Sequence, residues 1–289
     1  MIWIWLALLA PLLWAGSNIF DKYALEKVTR GVYDFLFFGT VGTFFIALLA
    51  FAVFGLGEIG RAALVPVAGG FLLQFSYLFY SHALAREDAS YIAPLYITYS
   101  VVVLIVGFFF GETLTPVQIL AFFIMFFGAM ILSLRELSFE IFHYRTAALL
   151  MLPAILLISL YVVFINYSLD VLSFTDTFIY DAVGFSLAGL SLMLVPAWRG
   201  EIVKGIKKAS LRKLGLFLFN DTLDVSGHLV FKYALLLAPS AGLVAVLGGI
   251  QPFYVLVLGV LFTLFLPRII SEKITRKEIT QKIAGTIII

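Results

Sequence analysis

The sequence predicts an all-α integral membrane protein. Of its 289 residues, 63% are hydrophobic and 12% are charged, and the mean hydropathy is +1.09. Soluble domains carry about 45–50% apolar and about 25% charged residues. Apolar runs of about 20 residues, the length that crosses a bilayer, recur along the whole chain. These two observations predict ten transmembrane helices in a single membrane domain and argue against a soluble protein.

The ten spans follow one another with mostly short connections. The first has no basic residues before it, unlike a cleaved signal peptide, so we predict a membrane helix there. The last run has about half of the apolar length that a span needs, so we expect a complete tenth helix to require residues beyond Ile289. The predicted spans are Ile2–Lys22, Tyr33–Phe54, Ala62–Leu84, Ser90–Gly111, Pro116–Leu134, Thr146–Leu169, Thr177–Trp198, Leu214–Leu237, Gly242–Leu266 and Ile279–Ile289.

The longer connections carry most of the loop charge. Arg199–Lys213 is the most basic of them, and we interpret it as a solvated cytoplasmic loop near anionic headgroups rather than a nucleic-acid-binding patch. Connections that follow odd-numbered spans hold nearly every loop Lys and Arg. The positive-inside rule therefore predicts that these connections are cytoplasmic and that both termini lie outside.

The eighth span carries an ionisable stripe. On an ideal helix Asp221, Asp224, His228 and Lys232 fall within an arc of about 80°. Each would cost at least ~2.5–3.5 kcal/mol in hydrocarbon, so the stripe is expected to face protein or a water-filled cavity. Asp224 and His228 are one helical turn apart, and we predict a proton-coupling site there, with Asp221 and Lys232 binding substrate. Direct substrate binding by Asp224 and His228, or a static buried ion pair, are the alternatives.

Polar side chains on other spans can face the same cavity. Tyrosines can stack on an aromatic or cationic substrate, although many serve as interfacial or packing residues. A buried asparagine is at least as able to hydrogen-bond between helices as to contact substrate. The further candidates for substrate binding are Asn18, Gln74, Tyr77, Tyr96, Tyr99, Asn166 and Gln251.

Other charged residues have simpler interpretations. Asp21 and Lys22 end the first span, where they can lie at the membrane interface or face the cavity. Asp176 and Asp181 are close to the start of the seventh span, where the helix dipole favours carboxylates. Glu112 ends the fourth span and is interpreted as structural.

The two halves of the chain align weakly with one another. A shift of 148 residues places Asn18 on Asn166, and a shift of 151 places Tyr77 on His228. Collinear matches of this kind predict two five-helix repeats, and an odd number of helices per repeat inverts the second in the membrane. Inverted repeats around a central cavity are typical of alternating-access transporters. The predicted repeats are residues 1–135 and 146–289.

Several short motifs, in their order and spacing, resemble the ten-helix, EamA-like branch of the drug/metabolite transporter superfamily. The second half departs from the pattern where Phe265-Leu-Pro-Arg stands at the Gly-Glu position. The resemblance implies inverted repeats around a substrate cavity, export or exchange of small metabolites, and cytoplasmic termini, opposite to the charge rule. The motifs are Trp14-Ala-Gly-Ser-Asn18, Ala89-Ser90, Ala93-Pro94-Leu95, Gly111-Glu112, Gly128, Ser240-Ala241, Gln251-Pro252 and Gly285.

We therefore predict a secondary active transporter that moves a small polar or amphipathic metabolite, such as an amino acid or organic amine, by alternating access, with proton coupling or by exchange. Acids outnumber bases on the eighth-span stripe, which favours a cationic or zwitterionic solute. The alternative is a polytopic membrane enzyme that uses the Asp221, Asp224 and His228 cluster. The sequence lacks zinc-protease and nucleophile-elbow motifs, so we do not expect an enzyme.

Cofactors and metals are not expected. The chain has no cysteine, which excludes disulfides and Cys-ligated metals. The three histidines, His82, His143 and His228, lack metal-ligand spacing. The expected partners are a small-molecule substrate and the lipid bilayer, with no nucleic acid, for a multi-pass monomer or homodimer in the cell membrane.

Overall fold

The computed structural model describes residues 2–57, 60–86, 95–133 and 145–265, and their regular secondary structure is entirely helical. Short 3-10 turns precede α3, follow α7 and separate α10 from α11, and a π-helical turn, Ala24–Val28, extends α1. The helices are α1 (Ile2–Tyr23), α2 (Val32–Phe54), α3 (Leu64–Leu84), α4 (Tyr99–Phe109), α5 (Pro116–Ser133), α6 (Arg145–Val171), α7 (Phe174–Ser191), α8 (Pro196–Lys207), α9 (Leu211–Leu237), α10 (Ala241–Leu247) and α11 (Gln251–Phe265).

The outer surface of the bundle is apolar. Six helical segments of the described chain are long and apolar enough to cross a membrane, and Leu95–Phe109 and Pro116–Ile131 are shorter apolar helices. Large hydrophobic side chains such as Phe45 and Leu49 on α2 are more than half exposed, and so contiguous an apolar surface needs a membrane. The protein is an integral membrane protein.

The first nine predicted spans each contain a helix in the described part of the chain. The tenth, Ile279–Ile289, lies outside the described residues, as do the Ala89-Ser90 and Gly285 motifs. The ninth span is divided by the 3-10 turn Gly248–Ile250.

The predicted Arg199–Lys213 loop is wrong except for Lys208–Ser210, which lies between α8 and α9. The seventh span ends early, at Ser191, and α8 begins at Pro196 and contains most of the basic segment. Proline favours the first helical position because its missing N–H needs no partner there. Ile202 of α8 is fully buried, so packing against the bundle supplies the stability that so short a helix lacks by itself.

The helices of the bundle approach closely where glycines meet. α3 packs on α6 and α7, and α1 packs on α9. At the crossing of α3 and α7, Gly184 lies directly against the backbone of Val67, and Gly70 lies against the backbone of Asp181 and Phe185. Small residues allow such contacts between membrane helices.

We expect Gly184→Ala to destabilise the protein by about 1–3 kcal/mol, because the added methyl group has to displace backbone and overpacks the crossing. A Cβ at this position would overlap the Val67 carbonyl oxygen. The melting temperature in detergent measures the effect. Gly200→Ala on α8 is the matched control, since nothing lies within 4 Å of its added Cβ. A Gly184→Ala protein that melts with the control would contradict the close crossing.

Candidate substrate and coupling site

The charged stripe of α9 faces the interior of the bundle. Asp221, His228 and Lys232 are buried, and the side chain of Asp224 is 27% exposed. The prediction that this stripe faces protein rather than lipid is confirmed. α9 therefore brings four ionisable groups to the centre of a membrane protein, where ionisable groups are rare and commonly functional.

His228 is surrounded by side chains from three other helices. Its Nε2 lies 3.0 Å from the Tyr77 hydroxyl of α3, and its Nδ1 lies 3.3 Å from the Tyr161 hydroxyl of α6. The Trp14 ring of α1 packs edge-on against the imidazole at 5.1 Å. The Asp224 carboxylate is 3.7 Å from Nε2. A neutral imidazole donates at one nitrogen and accepts at the other, so both tyrosines can bond it at once.

Lys232 forms an ion pair with α7. Its Nζ lies 2.7 Å from Oδ2 of Asp181, and the two side chains are only 1% and 7% exposed. The ammonium also lies 5.9 Å from the centroid of the Tyr161 ring and 5.7 Å from that of Phe178. The interpretation of Asp181 as a carboxylate at a helix start is wrong, because α7 begins at Phe174 and Asp181 lies two turns into it.

A group of carboxylates lies toward the other end of the stripe. Asp221 packs against Gly42 of α2, where any side chain would overlap its carboxylate. Asn220 donates a 2.6 Å hydrogen bond to Asp21 of α1, so Asp21 faces the interior rather than ending the helix at the interface. Asp21, Asp221 and Asp224 interact electrostatically with one another. Three acidic groups thus gather at this end of the stripe.

A small cavity of about 20 Å³ lies between these groups. Asp181, Asp224, His228 and Lys232 line it, together with Thr43 of α2. A cavity of this size holds about one water molecule. It is too small for an amino acid.

Two predicted substrate-binding residues bond instead to neighbouring helices. Gln74 donates to the Leu36 carbonyl at 3.3 Å and to the Thr40 hydroxyl at 3.0 Å. Tyr99 donates to the Ala245 carbonyl at 3.1 Å. These contacts join α3 to α2 and α4 to α10. They favour a packing role for both residues.

Asn166 lies in a different cluster from His228. It donates to Glu112 at 3.4 Å, and Glu112 also accepts from the Ser240 hydroxyl at 2.6 Å and from the Ala241 backbone N–H at 3.2 Å. Glu112 therefore caps the amino end of α10, in agreement with its structural interpretation. The cluster joins the two halves of the chain through hydrogen bonds.

Among the described residues, no hydrogen bond joins the remaining candidates to the groups around His228. The Tyr96 ring packs 5.1 Å from Tyr80 and 5.5 Å from Tyr99. Gln251 is partly buried at the start of α11, and Asn18 is exposed on α1. The side chain of Lys22 lies outside the described residues.

Sequence reasoning did not select Tyr161 or identify Asp181 as part of the site. One signal was present for Asp181, because a lysine in an apolar span needs an acidic partner and few acids occur in the other spans. Tyr161 gave no signal, since an aromatic residue in an apolar helix is commonly packing. Asp176 does lie in the first turn of α7, where Ser173 caps the helix by accepting from the Asp176 backbone N–H. The Asp176 carboxylate accepts from the Gly57 backbone N–H.

Comparison with known proteins gives one family match and a structural likeness. Residues 1–134 match the EamA-like transporter family. No curated protein matches the sequence. A protein known from a crystal structure superposes on this chain with a TM-score of 0.65 at 15% sequence identity, over 100% of this chain and 95% of the other. The two proteins share an overall fold.

Proposed function

We propose that the protein is a secondary transporter of the cell membrane, because residues 1–134 match the EamA-like transporter family. It moves a small polar or amphipathic metabolite by alternating access, with the site around His228 at its centre. The observation that carries the proposal is the buried ionisable cluster of α9, which lines a cavity together with α7 and α2. Ionisable groups buried inside a membrane protein mark substrate or ion pathways.

Helix packing supports two inverted repeats. If the two halves are repeats, the first span (α1) is equivalent to the sixth (α6), and the third span (α3) is equivalent to the eighth (α9). The contact of α3 with α6 is then equivalent to the contact of α9 with α1. Both contacts are among the largest in the bundle. Tyr77 and His228, which align with each other in the repeats, also bond to each other at 3.0 Å. Equivalent residues meet in this way only close to the axis that relates two halves.

The charge of the site favours a substrate with an amine. The ammonium of Lys232 is already neutralised by Asp181 at 2.7 Å. Among the ion pairs of the described residues, Asp21 and Asp221 have none, and Asp224 pairs only with His228, which is charged only when protonated. A cationic or zwitterionic solute supplies the missing positive charge, and the rings of Trp14 and Tyr96 offer surfaces for a cation.

Asp224 and His228 are the proposed coupling groups. Their separation of 3.7 Å allows one proton or two to be held by the pair, and the partial exposure of Asp224 gives it access to the cavity. Protonation of the pair and binding of an amine each add positive charge at the same place, so each disfavours the other. This competition couples movement of the amine to movement of the proton.

Counterflow in proteoliposomes tests transport without any assumption about the energy source. Purified protein is reconstituted, the vesicles are loaded with an unlabelled amino acid or amine, and labelled solute is added outside. We expect transient accumulation of label. Solutes are chosen by thermal shift, since a ligand at 100 times its Kd adds about 2.7 kcal/mol to stability. Uptake no greater than in protein-free vesicles, for every solute that shifts the melting temperature, would contradict the proposal.

A further inference from the structure

The short helix α8 connects α7 to α9, and its two sides differ in charge. The inner side packs on the start of α2. There Ile202 and Gly205 are buried, Gly205 lies directly against the Asp34 carboxylate, and Glu201 accepts a 3.0 Å hydrogen bond from the Asp34 backbone N–H. Glu201 is the only acid between residues 196 and 213. The one negative charge of this segment is therefore turned inward.

A buried ion pair completes the inner contact. Asp34 is fully buried, and its two oxygens accept from Lys213 Nζ at 3.0 and 3.1 Å. The ammonium also lies 3.7 Å from the centroid of the Phe38 ring. Tyr33 stacks on Trp198 of α8 with ring centroids 4.9 Å apart. The second half of the chain is thus held on the first half at this end of the bundle.

The outer side carries only positive charge. Five cations are exposed on α8 and on the residues that lead into α9, and none of the ion pairs among the described residues involves them. Apolar side chains lie beside them, since Leu194 is 82% exposed and Leu211 is 90% exposed. The five cations are Arg199, Lys204, Lys207, Lys208 and Arg212.

The position of α8 in the chain places these cations near lipid headgroups. It lies between the apolar helix α7 and the start of α9, so it is close to where both leave the hydrocarbon. Exposed apolar groups next to unpaired cations match the boundary between acyl chains and headgroups. Each Lys or Arg close to an anionic bilayer surface strengthens attraction about fivefold.

We propose that the outer side of α8 binds anionic phospholipid headgroups of the surrounding bilayer, which hold α8 on the Asp34 end of α2. The occupant is lipid because the surface combines cations with exposed apolar side chains, and a free anion would use only the cations. This inference rests on the membrane location of the protein. It is independent of which solute is transported.

The test uses the full-length protein in neutral detergent, titrated with phosphatidylglycerol or phosphatidylcholine in mixed micelles. We expect phosphatidylglycerol to raise the melting temperature more than phosphatidylcholine. Lys204→Gln and, separately, Lys207→Gln should each increase the half-saturating fraction of phosphatidylglycerol about fivefold. Arg61→Gln is the matched control, because it also neutralises one exposed cation but lies before α3, away from α8 in the sequence. It should leave the titration unchanged.

Three results would overturn the proposal. The first is an equal effect of the two lipids. The second is an equal change in the Lys204→Gln, Lys207→Gln and Arg61→Gln titrations. The third is an equal rise in melting temperature with inorganic phosphate alone, which would identify a site for free anions instead of lipid.

Discussion

Lys232→Met is expected to lower the free energy of unfolding by about 3–5 kcal/mol, because removal of one partner leaves the other charge buried and uncompensated. Lys232 and Asp181 are 2.7 Å apart, and their side chains are 1% and 7% exposed. Methionine retains the unbranched apolar stem, so the loss reports the charge rather than a new cavity. Unfolding of the purified protein in mixed detergent micelles measures the change.

The double variant Lys232→Met/Asp181→Asn distinguishes the loss of the whole ion pair from the loss of one charge. It removes both charges, and replacement of a whole buried pair is commonly near neutral. We therefore expect it to be more stable than Lys232→Met alone. Lys207→Met is the matched control, since Lys207 is exposed and its loss should change stability by less than about 0.5 kcal/mol. A Lys232→Met protein as stable as this control would contradict a buried ion pair.

The same double variant decides between two roles of Lys232. The sequence predicts it as a substrate-binding residue, whereas its contact with Asp181 is also what a static link between α9 and α7 requires. If the folded double variant retains counterflow, the pair is structural. If counterflow is lost while stability is retained, at least one member of the pair contributes to the transport site.

Much of the fold follows from the sequence because apolar length is a local property. A run of about 20 apolar residues has few alternatives to a membrane helix, since hydrocarbon offers no partner for an open backbone. α8 could not be found in this way. Its two buried positions, Ile202 and Gly205, show their role only against Asp34 of α2, which is far away in the sequence.

The candidate site, like the fold, could be predicted only in part from the sequence. The direction of the α9 stripe follows from helical periodicity, so Asp221 and His228 could be placed in the interior from the sequence. The partner of each group could not, because it depends on how helices pack. Gln74 and Tyr99 illustrate the limit: a polar side chain inside a bilayer needs a partner whether it serves transport or packing, and both bond to neighbouring helices.

Asp224→Asn is expected to abolish pH-driven accumulation while counterflow continues. For one proton per substrate, a pH difference of one unit sustains at most about a tenfold gradient of substrate, since 1.4 kcal/mol corresponds to a factor of ten. Asparagine cannot take up or release that proton, so the accumulation ratio should fall to about one. Counterflow needs only binding and reorientation. It therefore survives if Asp224 acts in coupling.

The surroundings of Asp224 explain why this carboxylate is chosen for substitution. It is 3.7 Å from His228 on its own helix and remains 27% exposed, whereas Asp181 is held by Lys232 at 2.7 Å. Lys232 also acts on it electrostatically, as do Asp21 of α1 and Tyr77 of α3. Asp224 and His228 both line the cavity, and neither is held by a charged partner as closely as Asp181 is held by Lys232.

Asp170→Asn is the matched control for this experiment, because Asp170 is an exposed carboxylate at the end of α6. It should retain both counterflow and accumulation, measured in the same vesicles with an imposed pH gradient. Loss of both activities in a folded Asp224→Asn protein would assign Asp224 to substrate binding. Undiminished accumulation in that variant would show that the proton is carried elsewhere or that the protein works by exchange alone.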